Sequence, residues 1–352
     1  MTHSAGNAPV NRRVVLAARP VGAPKASDFR LEEASVPQPG PGQVLIKTYW
    51  LSLDPYMRGR MNAGPSYANA VPLGGVMVGR VVGEIVASEN PDWKVGEHVF
   101  SEAVGWQEWG LSDGADLRRL DARVAPLSAN LSVLGMPGLT AYVGTLDLGE
   151  AKAGETLVVS AATGAVGSLV GQIARIKGLR AVGIAGGPEK CRYAVETLGF
   201  DACLDHREPD LAGRLAAACP RGVDVLFENV GGDPFAATYP LLNPFSRIVI
   251  CGWVSAYNAS GPMPGPDRLP QLAWDSIVRR FTWRGFVVGD HKHRFAAFHS
   301  DVAGWIAEGK VAWREDVADG LENAVAAFQG LLEGRNFGKQ LVRVAPDPTR
   351  GN

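Results

Sequence analysis

The sequence predicts an α/β fold, a doubly wound parallel sheet together with a smaller all-β domain. Three observations predict it. From about Val14 to Trp109 the chain is dense in short apolar runs broken by glycine and proline, the rhythm of a β-sandwich or barrel. From about Gly154 compact apolar strands alternate with amphipathic helical stretches, which implies a parallel sheet with helices on both faces. Between Val159 and Gly167 the chain passes from a strand through a glycine turn into a helix. At 352 residues it is long enough for two domains.

The elements follow in order. Val44-Leu45-Ile46-Lys47-Thr48-Tyr49-Trp50 reads as a strand, as does Val78 to Val86. A turn at Asn90-Pro91-Asp92 leads to another strand at Glu97 to Phe100. Thr156 to Ser160 is the first strand of the parallel sheet. Ala165 to Lys177 places Val166, Leu169, Val170, Ile173 and Ala174 on one helical face. Ala181 to Ile184 is the next strand, and Glu189 to Leu198 a helix stopped by Gly199. Val223 to Phe227 and Arg247 to Cys251 are further strands. Helices at 303–308 and 323–332 and a strand at Gln340 to Val344 return to the first domain. Pro262-Met263-Pro264-Gly265-Pro266 is a loop, because proline lacks a donor and fixes φ.

Composition narrows the function classes. The chain is 46% hydrophobic and 20% charged, ordinary for a globular protein. A net charge of −1 leaves no electrostatic footprint for nucleic acid. No apolar run is long enough for a membrane span, and the polar start, Met1 to Asn11, lacks the layout of a signal peptide. Four scattered cysteines, Cys191, Cys203, Cys219 and Cys251, suit a reducing cytoplasm.

The sharpest local signal is Ser160-Ala161-Ala162-Thr163-Gly164-Ala165-Val166-Gly167. Gly164 lets backbone N–H groups approach a pyrophosphate, Gly167 lets the helix pack on the strand, and the helix N-terminus faces the phosphates. This is the logic of a Rossmann dinucleotide-binding turn, although Ala162 stands where the first glycine is usual. By itself a Gly-x-x-Gly is also compatible with a purely structural turn. No acid closes the second strand, Val182-Gly183-Ile184-Ala185-Gly186-Gly187, so nothing there suits the ribose 2′-hydroxyl of NAD. Lys190 and Arg192 follow instead and favour the 2′-phosphate of NADPH, unless they are merely solvated helix charges.

The electrophile comes next. Catalytic zinc wants three protein ligands. The first domain has no cysteine and only His3 and His98, and His291-x-His293 reads more simply as a surface pair than as a metal site. A tyrosine hydroxyl can serve instead as donor to a developing oxyanion. Tyr257 lies just past the strand Arg247 to Cys251, at the end of a parallel strand where ligands bind. Tyr56 sits in the loop Leu53-Asp54-Pro55-Tyr56-Met57-Arg58-Gly59. Either could equally be bonded within its loop. Trp50, Trp106, Trp253 and Trp283 either shape an apolar pocket or fill the core.

Taken together, five motifs carry a resemblance over about Asn11 to Val344: Leu53-Asp54-Pro55-Tyr56-Met57-Arg58; Ala161 to Gly167 with Gly171-Gln172-Ile173-Ala174; Glu228-Asn229-Val230-Gly231-Gly232; Cys251 to Asn258; and Asn336-Phe337-Gly338-Lys339. The chain resembles the zinc-free medium-chain dehydrogenase/reductases, in the branch of prostaglandin reductases, plant alkenal double-bond reductases and bacterial curcumin reductases. The resemblance implies a GroES-like β domain and a Rossmann NADPH domain, divided here as 1–131, 132–310 and a return at 311–352, with the cofactor in the cleft between them. It implies a homodimer and a small-molecule enone or enal as substrate. Gly164, Ala165, Val166 and Gly167 would cradle the pyrophosphate and Lys190 the 2′-phosphate. Asn229, the run Cys251, Gly252, Trp253, Val254 and Ser255, the run Phe286, Val287 and Val288, and Asn336 would line the cofactor. Tyr257 matches the family's active-site tyrosine, and Tyr56 one that helps hold the substrate carbonyl. His206 stands where many eukaryotic members have a tyrosine near the 2′-phosphate.

The expected activity is NADPH-dependent reduction of the carbon–carbon double bond of α,β-unsaturated ketones and aldehydes. Two other readings stay open from the residues alone, an NADPH:quinone reductase on the same fold and a non-catalytic NADPH-binding sensor.

Overall fold

A computed structural model of the chain describes residues 10–64, 66–261 and 267–350. The polar start at 1–9 and the proline-rich run at 262–266 lie outside the described residues. The chain divides into two compact units. One runs to Leu131 and takes back Asp316–Arg335 and the chain from Gln340 on. The other comprises Ser132–Glu315 and Asn336–Lys339.

The first unit opens with β1 (Val10–Leu16) and β2 (Phe29–Ser35), an antiparallel pair. Then come β3 (Val44–Ser52), α1 (Tyr56–Arg60), β4 (Val81–Ser88), β5 (His98–Ser101), β6 (Trp109–Ser112) and β7 (Arg118–Arg119). β3 pairs antiparallel with both β4 and β6, β4 with β5, and β5 with β7. Eight of the nine β3 residues are buried, which explains why its sequence is a continuous apolar run rather than an alternation. Trp106 anchors the core. Its ring stacks on Phe29 at 6.0 Å and meets the edge of Phe328 at 5.6 Å.

The second unit alternates strand and helix: α2 (Met136–Tyr142), β8 (Thr156–Ser160), α3 (Gly167–Ile176), β9 (Arg180–Ala185), α4 (Pro188–Glu196), β10 (Ala202–Asp205), α5 (Leu211–Ala218), β11 (Val223–Glu228), α6 (Gly232–Thr238), β12 (Leu242–Ile250), α7 (Leu269–Arg279), β13 (Thr282–Gly285) and α8 (Phe295–Ala307). Among the described residues six strands form one sheet in the order β10-β9-β8-β11-β12-β13, and every neighbouring pair is parallel. The strand order reverses between β8 and β11, the switch point at which ligands bind in sheets of this kind. α3 packs through Leu169, Val170, Ile173 and Ala174, all buried. Gly171 must be glycine, because a Cβ there would fall 1.9 Å from the Phe200 ring.

The return supplies β14 (Glu315–Asp319), α9 (Ala324–Leu332) and β15 (Lys339–Arg343). β15 lies between β14 and β3, with Leu341 opposite Ser52. Trp50 on β3 is core, and its indole N–H donates to Asp347 at 2.8 Å. No helix among the described residues is long and apolar enough to cross a membrane.

Candidate active site

In the second unit the residues singled out by sequence gather at one edge of the sheet. Gly164–Gly167 follow β8, Lys190 follows β9, His206 follows β10, Asn229 follows β11, Cys251–Tyr257 follow β12 and Phe286–Val288 follow β13. Because all six strands are parallel, these are all carboxyl ends.

The turn after β8 is tight. Ala161 takes φ +51°, and the Gly164 N–H donates to the Ala161 carbonyl at 2.9 Å. A Cβ on Gly167 would sit 2.3 Å from that carbonyl oxygen, so no other residue can start α3 here. Ala162 is fully buried and its N–H donates to Ile184, so the position of the missing first glycine is held by packing on β9. At the start of α3 the Ser168 N–H donates to the Gly164 carbonyl and the Leu169 and Val170 N–H groups to that of Val166, so the turn Gly164–Gly167 forms the N-terminal end of the helix. Gly338 pairs with Gly164, which brings the Asn336–Lys339 segment alongside this turn. Asn336 closes that segment on itself, its amide donating to the Gly338 carbonyl at 2.7 Å. Gln172 fixes a further strand of chain by accepting from the Ala312 N–H and donating to its carbonyl.

Cations collect at the end of β9. Lys190 is half-buried in the first turn of α4. His206 and Arg207 are exposed, and both approach the Gly186–Gly187 turn. A Cβ on Gly186 would lie 2.9 Å from the His206 imidazole and 3.2 Å from the Arg207 guanidinium. Arg207 was missed by the sequence reading; the cue was a cation immediately after His206. Asp205 beneath them is turned away from solvent. Burial works to raise its pKa, but N–H groups of Arg207 and Gly187, with the charges of His206 and Arg207, hold it below the usual carboxylate range.

At the switch point a buried carboxylate organises the backbone. Glu228 Oε1 accepts from the Ser160 hydroxyl at 2.5 Å and from the N–H groups of Val230 and Gly231. Asn229 donates its amide to the Ser160 carbonyl and its N–H to the Ser160 hydroxyl, both at 2.8 Å. The Glu228 carbonyl in turn accepts from Cys251 and Gly252, and those of Asn229 and Val230 from Val254 and Ser255. The two loops after β11 and β12 are therefore one hydrogen-bonded body. Burial pushes the Glu228 carboxyl above its ordinary pKa, against the lowering effect of these donors. Burial also pushes the Cys251 thiol up to about 12, which makes it inert. Ser160 and Glu228 were not singled out as site residues; an acid closing an apolar strand was the available signal.

Tyr257 rides on this body. Its N–H donates to Val254, and a Cβ on Gly252 would come within 3.2 Å of its hydroxyl, so glycine there keeps the approach open. Trp253 packs on Phe235 at 5.0 Å, and Trp283 on the same ring at 5.4 Å. A Cβ on Gly231, at φ +75°, would strike the Trp253 indole at 2.3 Å. Phe286 lies over Gly144, where a Cβ would be 3.2 Å away.

In the first unit α1 presents Tyr56. Met57 and Arg58 beside it are buried, and the Arg58 guanidinium donates to Asn62 and to the Gly22 carbonyl. Arg80 donates to the Tyr56 oxygen at 3.2 Å, lies 5.5 Å from its ring and pairs with Glu102. Burial raises the Tyr56 pKa to about 12 despite Arg80, so the phenol keeps its proton. A cation donating to the oxygen polarises the O–H and makes it a better hydrogen-bond donor.

Among the described residues no group of three or more His, Cys, Asp or Glu is placed to hold a metal ion, and the rings of His291 and His293 stand 6.1 Å apart.

Two family models match the chain. One, described as the N-terminal domain of oxidoreductase, covers residues 12–120, and the other, described as zinc-binding dehydrogenase, covers residues 165–303. The chain is 54% identical over 338 residues to the NADPH-dependent curcumin reductase of Escherichia coli, with 96% of this chain and 98% of that one covered. Prostaglandin reductase 1 of Bos taurus is 39% identical over 332 residues, with 92% and 96% covered. The crystal structure of CurA in complex with NADPH from Vibrio vulnificus matches with a TM-score of 0.92 at 49% identity, covering 96% of this chain and all of that one (100%). The chain belongs to the medium-chain dehydrogenase/reductase family, in the branch that holds the curcumin and prostaglandin reductases.

Proposed function

We propose that the protein binds NADPH on its second unit and reduces the carbon–carbon double bond of α,β-unsaturated ketones and aldehydes. The reading rests on the 54% identity, over nearly the whole of both chains, to an NADPH-dependent curcumin reductase. The residues present fit the cofactor. Gly164–Gly167 offer a glycine turn and helix start to the pyrophosphate. Lys190 and Arg207 offer cations to the 2′-phosphate, and His206 its imidazole ring. Asn229, Cys251–Ser255, Phe286–Val288 and Asn336 line the rest.

When bound, the cofactor supplies hydride to the β-carbon of the enone. The chain's own part is electrostatic. Charge that moves to the carbonyl oxygen is met by the Tyr257 hydroxyl, which donates to it. Tyr56 helps hold the substrate carbonyl, as a neutral donor polarised by Arg80. The Glu228-centred body fixes the loop that carries Tyr257, so the donor needs no reorganisation as charge develops. One oxyanion donor is worth about 2.7–4 kcal/mol, so Tyr257→Phe is expected to lower turnover about a hundredfold or more.

The test follows loss of NADPH with a simple enone, an alkenal, a diaryl enone such as curcumin, and a quinone, and identifies products by mass. Saturated ketone from the enones is the expected result. Turnover of the quinone alone, or a less than threefold effect of Tyr257→Phe, overturns the reading.

The same proposal includes a cytoplasmic homodimer. β13 is an edge strand with all four residues exposed. Beside it α7 leaves Trp274, Ile277 and Val278 at least half exposed. An open edge flanked by apolar side chains is what a second copy covers.

A further inference from the structure

In the first unit two hydrogen-bond donors stand side by side with nothing to give to. The Arg80 guanidinium donates through Nη1 to the Tyr56 oxygen at 3.2 Å and through Nε to Glu102 at 3.2 Å, and it lies 5.5 Å from the centre of the Tyr56 ring. Because the Tyr56 oxygen accepts from Arg80, its own proton is left to be given elsewhere. Among the described residues nothing accepts that proton, and nothing accepts from Arg80 Nη2. Both side chains are largely covered, Tyr56 half-buried and Arg80 with 20% of its side-chain surface open. A covered donor without an acceptor is costly, so a pair of them suits a ligand that accepts. Burial works to lower the Arg80 pKa, but Tyr56, Glu102 and Asp54 hold it above the ordinary arginine value, so its charge persists. The nearby charges balance, Arg80 and Arg60 against Glu102 and Asp54, so an incoming anion meets no net repulsion. Asp54 is engaged by the Ser52 hydroxyl and Arg60 by the Asn69 carbonyl, which leaves the Tyr56–Arg80 pair for a ligand.

We propose that Tyr56 and Arg80 form a two-point receptor for an enone whose carbonyl carries an adjacent carboxylate, a β,γ-unsaturated α-keto acid. Tyr56 donates to the ketone oxygen and Arg80 Nη2 to the carboxylate. Two points of chemistry favour this over both donors meeting on a single carbonyl. Donors on separate side chains suit separate oxygens. A guanidinium fork matches a carboxylate, and charge-assisted bonds are about twice as strong as neutral ones. The double bond gains hydride at the carbon β to the ketone and a proton at the α-carbon, and the product is the saturated α-keto acid. The proposal rests on the reading of Tyr56 as holder of the substrate carbonyl, and it makes Arg80 the residue that sets preference among enones.

The experiment compares benzylideneacetone with benzylidenepyruvate, which differ only in a methyl group replaced by a carboxylate. For the full-length protein and its variants it reads kcat/KM on each from product mass, and the affinity for benzylidenepyruvate with NADP+ present by calorimetry. The ratio of the two kcat/KM values, compared between variants, cancels the intrinsic reactivity of each substrate. Arg80→Met should lower that ratio, and the affinity for benzylidenepyruvate, about tenfold or more, as for loss of one charge-assisted contact. Benzylideneacetone should lose only the polarising effect of Arg80 on Tyr56, about threefold. Arg80→Lys keeps the charge without the fork and should give a ratio between the two. Glu102→Gln releases the guanidinium from its acid and should raise the ratio. Equal losses on both substrates with Arg80→Met mean that Arg80 acts only through Tyr56, and overturn the proposal. If Arg80→Met does not fold, Arg80→Lys and Glu102→Gln must still move the ratio in opposite directions, and no movement in either overturns it. Turnover of neither substrate ends the enone reading, and calorimetry then decides on the receptor alone: binding that Arg80→Met weakens supports it, and unchanged binding overturns it.

Discussion

Glu228 shows how one side chain can set a loop. Its carboxyl is fully buried and gathers three donors from Ser160, Val230 and Gly231. Glu228→Ala leaves those donors without an acceptor, and an unsatisfied buried donor costs about 1–3 kcal/mol, so a clear drop in melting temperature is expected. The pH sign is fixed by the raised pKa. Such an acid holds its proton better folded than unfolded, so its contribution is full below the ordinary glutamate value and fades as pH rises through the folded value. Glu228→Gln does not titrate. Melting curves of the two proteins from acid to neutral pH should therefore show wild type losing stability relative to Glu228→Gln as pH rises. Tyr56→Phe is expected to lower kcat/KM about tenfold by removing one hydrogen bond near developing charge. With the phenol at about 12, the wild-type pH profile should carry no Tyr56 limb at neutral pH. Residue-scale chemistry was partly legible. Tyr257 was read from a strand end and Tyr56 from what reads as a loop, whereas Tyr56 opens helix α1, and Arg80 reaches Tyr56 across 24 positions that carry no sequence signal.

Elements were legible where burial is two-sided. β8 is buried at every residue, and its apolar run and the stripe of α3 announced themselves. β13 did not, since Thr282, Trp283, Arg284 and Gly285 are all exposed and make no apolar pattern. β7 is two arginines, a strand only because it lies against β5. The β9–α4–β10 segment is where cofactor choice is expected to reside. Arg207→Ala with Lys190→Ala should raise the KM for NADPH at least tenfold and leave that for NADH nearly unchanged, because charge-assisted phosphate contacts are the strong ones. Steady-state kinetics with both cofactors checks this, and equal loss with both would move the 2′-phosphate elsewhere. Gly167→Ala should abolish binding of both, since its Cβ would collide with the Ala161 carbonyl oxygen.

At the scale of the molecule, the α/β class and the parallel sheet followed from the change of rhythm near Gly154, because a two-sided buried sheet imposes apolar strands and amphipathic helices in alternation. Strand order did not follow, because sequence neighbours need not be sheet neighbours, as β8 beside β11 shows. The proposed dimer makes its own prediction. Ile277→Asp with Val278→Asp should shift the mass measured by light scattering from two chains to one, while the monomer keeps its helical signal. The return of the chain has another effect. β15 is flanked by β14 and β3, and Trp50 waits for Asp347. A growing chain emerging from the ribosome can therefore complete its second unit once Lys339 has appeared, but its first unit, begun before it, stays unfinished until Gln340 to Asp347 have followed. The order in which the two units begin and the order in which they finish are opposite, and β3, whose pairs with β4 and β6 can form early, waits longest for its third partner, β15.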